Sequence, residues 1–333
     1  MFFVYFHHIG ILGSNKMNIV IPYGYFFFNA FFFVSGYLLF KKHLFENSEN
    51  PKRYIYFKKQ FQEKGILSNV VFKIALPSMF FSIIDYLLKL LISGESFAFG
   101  AFLFKTLIRG TFWFTCALSV AELIIFALFV LLKKKSVWVY FFLCAPVFLL
   151  GKFLTDNGFV LYGDVYCPWF YKSGFMACLF LVGGGIFYQY EKKLTWLATK
   201  TGGIILILIV FVYCIIVIKE PWGFVNGSVL TGIDYGGVLL SFMGIVSVLY
   251  LCVYLPSVKP IEFISRHTIG FYFFSASMPF CWCKIIERLL PTSSIAYMIG
   301  VLGSFLSSWV IVYMIDKYIP ILFDFHKINK MLS

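Results

Sequence analysis

Uninterrupted apolar runs of about 20 residues, one after another, restrict this chain more than any other feature. A run of that length is what a helix needs to cross the roughly 30 Å hydrocarbon core of a bilayer. Such runs cover residues 21–40, 70–92, 112–132, 137–154, 173–190, 203–218, 235–255, 268–287 and 295–319, with a shorter one over 1–13. They lack the every-second-residue alternation of a barrel strand, so they read as helices. Of 333 residues, 61% are hydrophobic and 13% charged, against about 45–50% and 25% in a soluble domain. No water-soluble core can enclose that much apolar surface. The pattern predicts an all-α, polytopic transmembrane bundle of about ten helices. It forms a single domain over 1–333 whose one long polar connection, 41–69, leaves no room for a separate soluble domain.

The formal charge of +13 is unevenly spread. Eight Lys/Arg lie between Lys41 and Lys73, three at 133–135, and further ones at Lys192, Lys193, Lys200, Lys259, Arg266, Lys317, Lys327 and Lys330. These are the connections that share one face if the N-terminus is cytoplasmic. Basic residues collect on the cytoplasmic side, so both termini are expected there. Topology then accounts for the charge, and no nucleic-acid partner is expected. The basic stretch from 41 to 73 is equally suited to anionic lipid or to the phosphates of a nucleotide-bearing donor. The eight Cys sit mostly in apolar runs, and the Cys281/Cys283 pair has no further ligand at zinc spacing, so neither a metal nor a disulfide framework is expected. Gly183-Gly184-Gly185 suits a close helix contact. Pro22, Pro77, Pro146, Pro279 and Pro320 are expected to kink or end helices.

Ionisable groups inside lipid are costly, so each is a candidate for function. His7 and His8 stand together in MFFVYFHHIGIL. A buried neutral imidazole is a good general base near pH 7, although a pair of polar residues near a helix end explains them equally well. Glu122 lies within a span and needs a cation or donor. It is able to orient an imidazole, and a structural carboxyl is the slightly simpler reading. Asp85 and Lys89 have the i,i+4 spacing of a local ion pair. Residues of this kind do not by themselves separate a transporter from an enzyme.

Five segments resemble the acyltransferase-3 family of ten-helix membrane acyltransferases. FVYFH at 3–7 is similar to the run ending in that family's catalytic His, and FFFNAFFFVSGYLLFKK at 26–42 to its aromatic stretch ending in S-G-[FY] and a basic loop. VFKIALPSMF at 71–80 resembles its basic-x-x-x-Pro start of helix three, and TFWFTCALSVAELI at 111–124 its W-F-x-x-x-L run. IEFISRHTIGFYFF at 261–274 resembles a late segment of Gly or Ser, basic residue, Ser/Thr-hydrophobic-Gly-x-Tyr. The segments fall in family order over almost the whole chain.

The resemblance implies transfer of an acyl group, usually acetyl from acetyl-CoA, to a hydroxyl of a sugar or other envelope molecule. Acyl-CoA is then a co-substrate rather than a resident cofactor, and the acceptor is a cell-surface polysaccharide or glycan precursor. The host membrane is the bacterial inner membrane. His7 is the implied base with His8 one position away, and Glu122 joins them as a catalytic candidate. Lys58, Lys59, Lys73 and Arg266 are the candidates for donor binding.

Three departures accompany the likeness. The family's Arg about ten residues before the His would fall before Met1, which together with the short first helix leads to the expectation of a start further upstream or a truncated product. Lys73 stands where Arg is usual, and Ser275 near where many members have a late His. The rival readings are a flippase or transporter for lipid-linked glycan, and a catalytically decayed family member.

Overall fold

The computed structural model describes residues 1, 4–5, 8–9, 26–43, 65–132, 136–157, 167–193, 199–219, 233, 235–254, 258–289 and 294–325. His7, Lys58 and Lys59 lie outside the described residues. The elements are α1 (Phe26–His43), α2 (Ile66–Ser93), α3 (Phe99–Ile108), α4 (Trp113–Leu132), α5 (Val137–Asp156), α6 (Tyr171–Tyr190), α7 (Lys200–Lys219), α8 (Tyr235–Tyr254), α9 (Lys259–Arg266), α10 (Thr268–Leu289) and α11 (Ser294–Tyr318). There is no strand among the described residues. The all-α expectation holds, and every predicted run from 21–40 onward meets a helix within a few residues.

Six helices among the described residues are long and apolar enough to cross a membrane: α2, α4, α5, Pro168–Tyr190, and the bulk of α10 and α11. Shorter apolar stretches lie in α3, α7 and α8. Many large apolar side chains on these helices point away from protein, among them Leu91 (80% exposed), Phe142 (69%) and Phe153 (61%). So much exposed apolar surface belongs against lipid. The sequence reading did not foresee α3 or the amphipathic α9. Both are too short to register as spans, and α3 falls between the runs 70–92 and 112–132.

The chain divides into two compact units, residues 1–24, 76–112 and 256–333, and residues 25–75 and 113–255. The second unit is organised by α6, which packs on α1, α4 and α5. The glycines are the reason. A Cβ at Gly184 would run into the Phe33 carbonyl and the Tyr37 amide of α1, and one at Gly36 into the carbonyl of Leu181. Two backbones approach this closely only where side chains are missing. Gly185 faces the Phe40 ring, and Gly174 faces Val120 and the Ala117 carbonyl. Around this seam Phe40, Phe129 and Tyr140 meet edge to face at 5.1–5.6 Å, the preferred arrangement for ring quadrupoles. Asn29 donates to Ser241 Oγ at 2.7 Å, a cross-helix hydrogen bond between α1 and α8.

The first unit pairs α10 with α11 and adds the Leu76–Ser93 part of α2. Gly303 lets the Trp282 ring approach, and Gly300 does the same for Ile286. Trp282 Nε1 donates to Ser307 Oγ at 3.1 Å. Phe81 stacks on Phe273 at 4.6 Å, and Phe112 meets Phe273 edge on at 5.1 Å. Of the prolines named above, Pro146 and Pro279 lie inside α5 and α10, Pro320 follows the end of α11, and Pro22 lies outside the described residues. Pro77 follows a π-helical stretch, Val70–Ala75. A proline supplies no amide to the carbonyl four residues earlier, and widening to i→i+5 bonds is one way a helix absorbs that loss.

Candidate active site

Tyr5 and Ile9 are anchored in the core of the first unit. Tyr5 is fully buried, and its hydroxyl donates to the Phe271 carbonyl of α10 at 2.7 Å. Its ring meets Phe305 of α11 edge on at 5.4 Å. Ile9 clusters with Cys283 and Val301. Between these anchors in the sequence stand His7 and His8, of which His8 is described and partly buried. The wedge is built by an aromatic and an aliphatic side chain four positions apart, the spacing that puts two residues on one helix face.

On α10, the side chains just before Cys283 belong to a polar cluster. Asp85 of α2 is buried, with Lys89 Nζ 2.7 Å from Oδ2 and Ser277 Oγ donating to Oδ1 at 2.7 Å. Both carboxylate oxygens are thus answered, which a charge withdrawn from water requires. Asp85 is 3% exposed and Lys89 39%, so the lysine end of the pair is the open one. It opens on a cavity of about 370 Å³ lined also by Tyr86, Lys105, Arg109 and Phe280. The wall carrying Lys105 and Arg109 is a second π-helical turn, Phe104–Ile108, closed by Arg109 N–H donating to the Phe104 carbonyl at 2.9 Å. Gly110 then turns the chain with φ +78°, a conformation that favours glycine. Thr111 N–H donates to Ser82 Oγ at 3.3 Å, tying the wall to α2.

The i,i+4 spacing of Asp85 and Lys89 foretold their ion pair. It gave no sign of Ser277, a long-range partner, nor of Lys105 and Arg109 reaching the same cavity. Their spacing of four within a short apolar stretch was the available signal, and recognising α3 as a helix was needed to use it.

The other candidates are distributed over both units. Glu122 is buried on α4 in the second unit, with Lys42 of α1 within electrostatic reach. Lys73 is partly buried in the π-helical stretch of α2, also in the second unit. Arg266 ends α9 in the first unit, 73% exposed, and reaches Glu262 at 3.6 Å. His267, next to it, is engaged at both ring nitrogens. Nδ1 donates to the Phe263 carbonyl (2.9 Å), and Nε2 lies 3.0 Å from Asp316 Oδ1. Ser275, where the family often carries a late His, is buried and bonds the Tyr272 carbonyl at 2.7 Å.

Apolar helices built for lipid, with Tyr5 and Ile9 buried among them, define an integral membrane protein with ionisable groups in its interior. A family model described as an acyltransferase domain matches residues 1–313. The chain belongs to the acyltransferase-3 family, and is by that membership a membrane acyltransferase. No curated protein and no solved structure matches it.

Proposed function

We propose that this acyltransferase moves an acyl group, acetyl in the first place, from acyl-CoA to a hydroxyl of a cell-surface polysaccharide or glycan precursor. His7 is the general base, with His8 the alternative one position on. The observation that carries this reading is the family match from residue 1, together with the firm seating of Tyr5 and Ile9 on either side of the histidines. A base must be held within hydrogen-bond reach of the proton it takes, and buried neighbours in the sequence favour that.

The chemistry is a single displacement at the thioester carbonyl. A neutral imidazole accepts the sugar hydroxyl's proton as its oxygen forms the bond to the carbonyl carbon. The tetrahedral oxyanion collapses, the C–S bond breaks, and the imidazolium returns its proton to the departing CoA thiolate. Positioned general-base catalysis contributes about 10²–10⁴-fold. Donors or cations near the oxyanion contribute further.

In this reading the membrane is the bacterial inner membrane with both termini cytoplasmic, and the donor arrives from the cytosol. Lys58, Lys59, Lys73 and Arg266 are the candidates for contacting its phosphates. Glu122, with Lys42 near it, serves as an interior charged group of the second unit. The test is mass spectrometry of surface glycan from cells expressing the wild type, His7→Ala or His8→Ala. Acyl esters present with the wild type and absent with His7→Ala support the assignment. Esters at wild-type level in both variants refute it.

A further inference from the structure

The cavity beside Asp85 has features that acyl transfer alone does not require. At about 370 Å³ it falls within the range of about 300–1,000 Å³ typical of small-molecule sites. Its lining mixes the rings of Tyr86 and Phe280 with carboxylate, ammonium and guanidinium groups. A sugar ring presents C–H faces to aromatic side chains and hydroxyls to charged ones, so this lining suits a carbohydrate.

The charges select which carbohydrate. Lys89 is answered by Asp85 at 2.7 Å. The lining as a whole carries three cationic side chains, Lys89, Lys105 and Arg109, and two carboxylates, Asp85 and Glu95. Lys105 is exposed, its Nζ 5.7 Å from the centre of the Tyr86 ring. Ammonium and guanidinium groups carried on one turn are suited to a carboxylate or a phosphate.

We propose that this cavity binds an acidic sugar unit of the acceptor, with Lys105 and Arg109 on its carboxylate or phosphate and Tyr86 under its ring. The inference rests on the acyltransferase reading and names its acceptor class. Two placements favour acceptor over donor. The cavity lies at the Ser93 end of α2, the outer end of that helix in the proposed topology. On α10, Phe280 lines the cavity and Cys283 packs on Ile9. Three residues of helix rise about 4.5 Å, which brings a bound acceptor to the depth of Ile9, two residues after His7 in the sequence.

The experiment uses the full chain in lipid nanodiscs and titrates two probes, a glucuronate-containing disaccharide and its neutral glucose counterpart. The acidic probe binds at least about tenfold more tightly, a difference of about 1.4 kcal/mol. Added salt weakens that preference. Lys105→Glu abolishes the preference and Lys105→Gln reduces it, both variants keeping the wild-type unfolding temperature because the side chain is exposed. Coenzyme A does not displace the acidic probe. Equal affinity for the two probes overturns the proposal, as does a preference unchanged in Lys105→Glu. Displacement by coenzyme A overturns it in favour of a donor site. His7→Ala binds the acidic probe as the wild type does. A chain that binds it in this Lys105-dependent way but transfers no acyl group therefore loses the catalytic reading and keeps the anion site.

Discussion

The two units solve the problem of packing in lipid with different emphasis. In the second, glycines bring backbones together, and the buried positions of α6 from Met176 to Val182 are apolar or small. In the first, large rings fill the space, and a buried carboxylate organises a lysine, a serine and a cavity. Lipid offers no hydrophobic gain for bringing two apolar helices together, so association relies on close packing and on polar pairs. Both units use both devices, since the second also buries Glu122 and the Asn29–Ser241 pair and the first also has Gly300 and Gly303. The difference is that only in the first do the polar groups border a described cavity.

The largest effect is expected where backbone meets backbone. Gly184→Leu forces α1 away from α6, and no folded monomer survives size-exclusion chromatography in mild detergent. A normal elution profile would show that the seam is slack and remove half of the contrast. Next is Asp85→Asn, which removes the carboxylate charge and one of its two acceptor oxygens, so that Lys89 and Ser277 can no longer both be answered as they are now, and lowers stability by about 1–3 kcal/mol. A thermal unfolding midpoint equal to that of the wild type would mean that the polar cluster is not structural. Ser277→Ala, which removes one neutral donor to the carboxylate, lowers it by about 1 kcal/mol. Smallest is Gly100→Ala on α3. A Cβ there meets open space, and the helix gains about 0.5–1 kcal/mol from alanine's propensity. Destabilisation there would reveal a neighbour that Gly100 accommodates.

Much of the fold was legible because lipid imposes a coarse rule, about 20 apolar residues per span. Helices α4 and α5 begin and end within two residues of the predicted runs. Segment α3 escaped because it has half that length and contains Gly100. The Gly183–Gly185 triplet was readable as a contact, but that Gly184 meets Phe33 and Tyr37 of α1 depends on pairing between distant segments. The site was legible in part. The Asp85–Lys89 pair is local and periodicity finds it, whereas Ser277 lies 192 residues from Asp85 in the chain and only the fold joins them. His7, Lys58 and Lys59 lie outside the described residues, so their roles rest on the family likeness and on charge placement.

Transfer of radiolabelled acetyl from acetyl-CoA to isolated surface glycan, catalysed by the purified full chain in nanodiscs, bears most directly on the claim that an N-terminal imidazole performs the reaction. The account predicts label in the glycan with the wild type and a rate lower by about 10²–10⁴-fold with folded His7→Ala. His7→Ala and His8→Ala chains that both unfold at the wild-type temperature and both transfer label at the wild-type rate would contradict it.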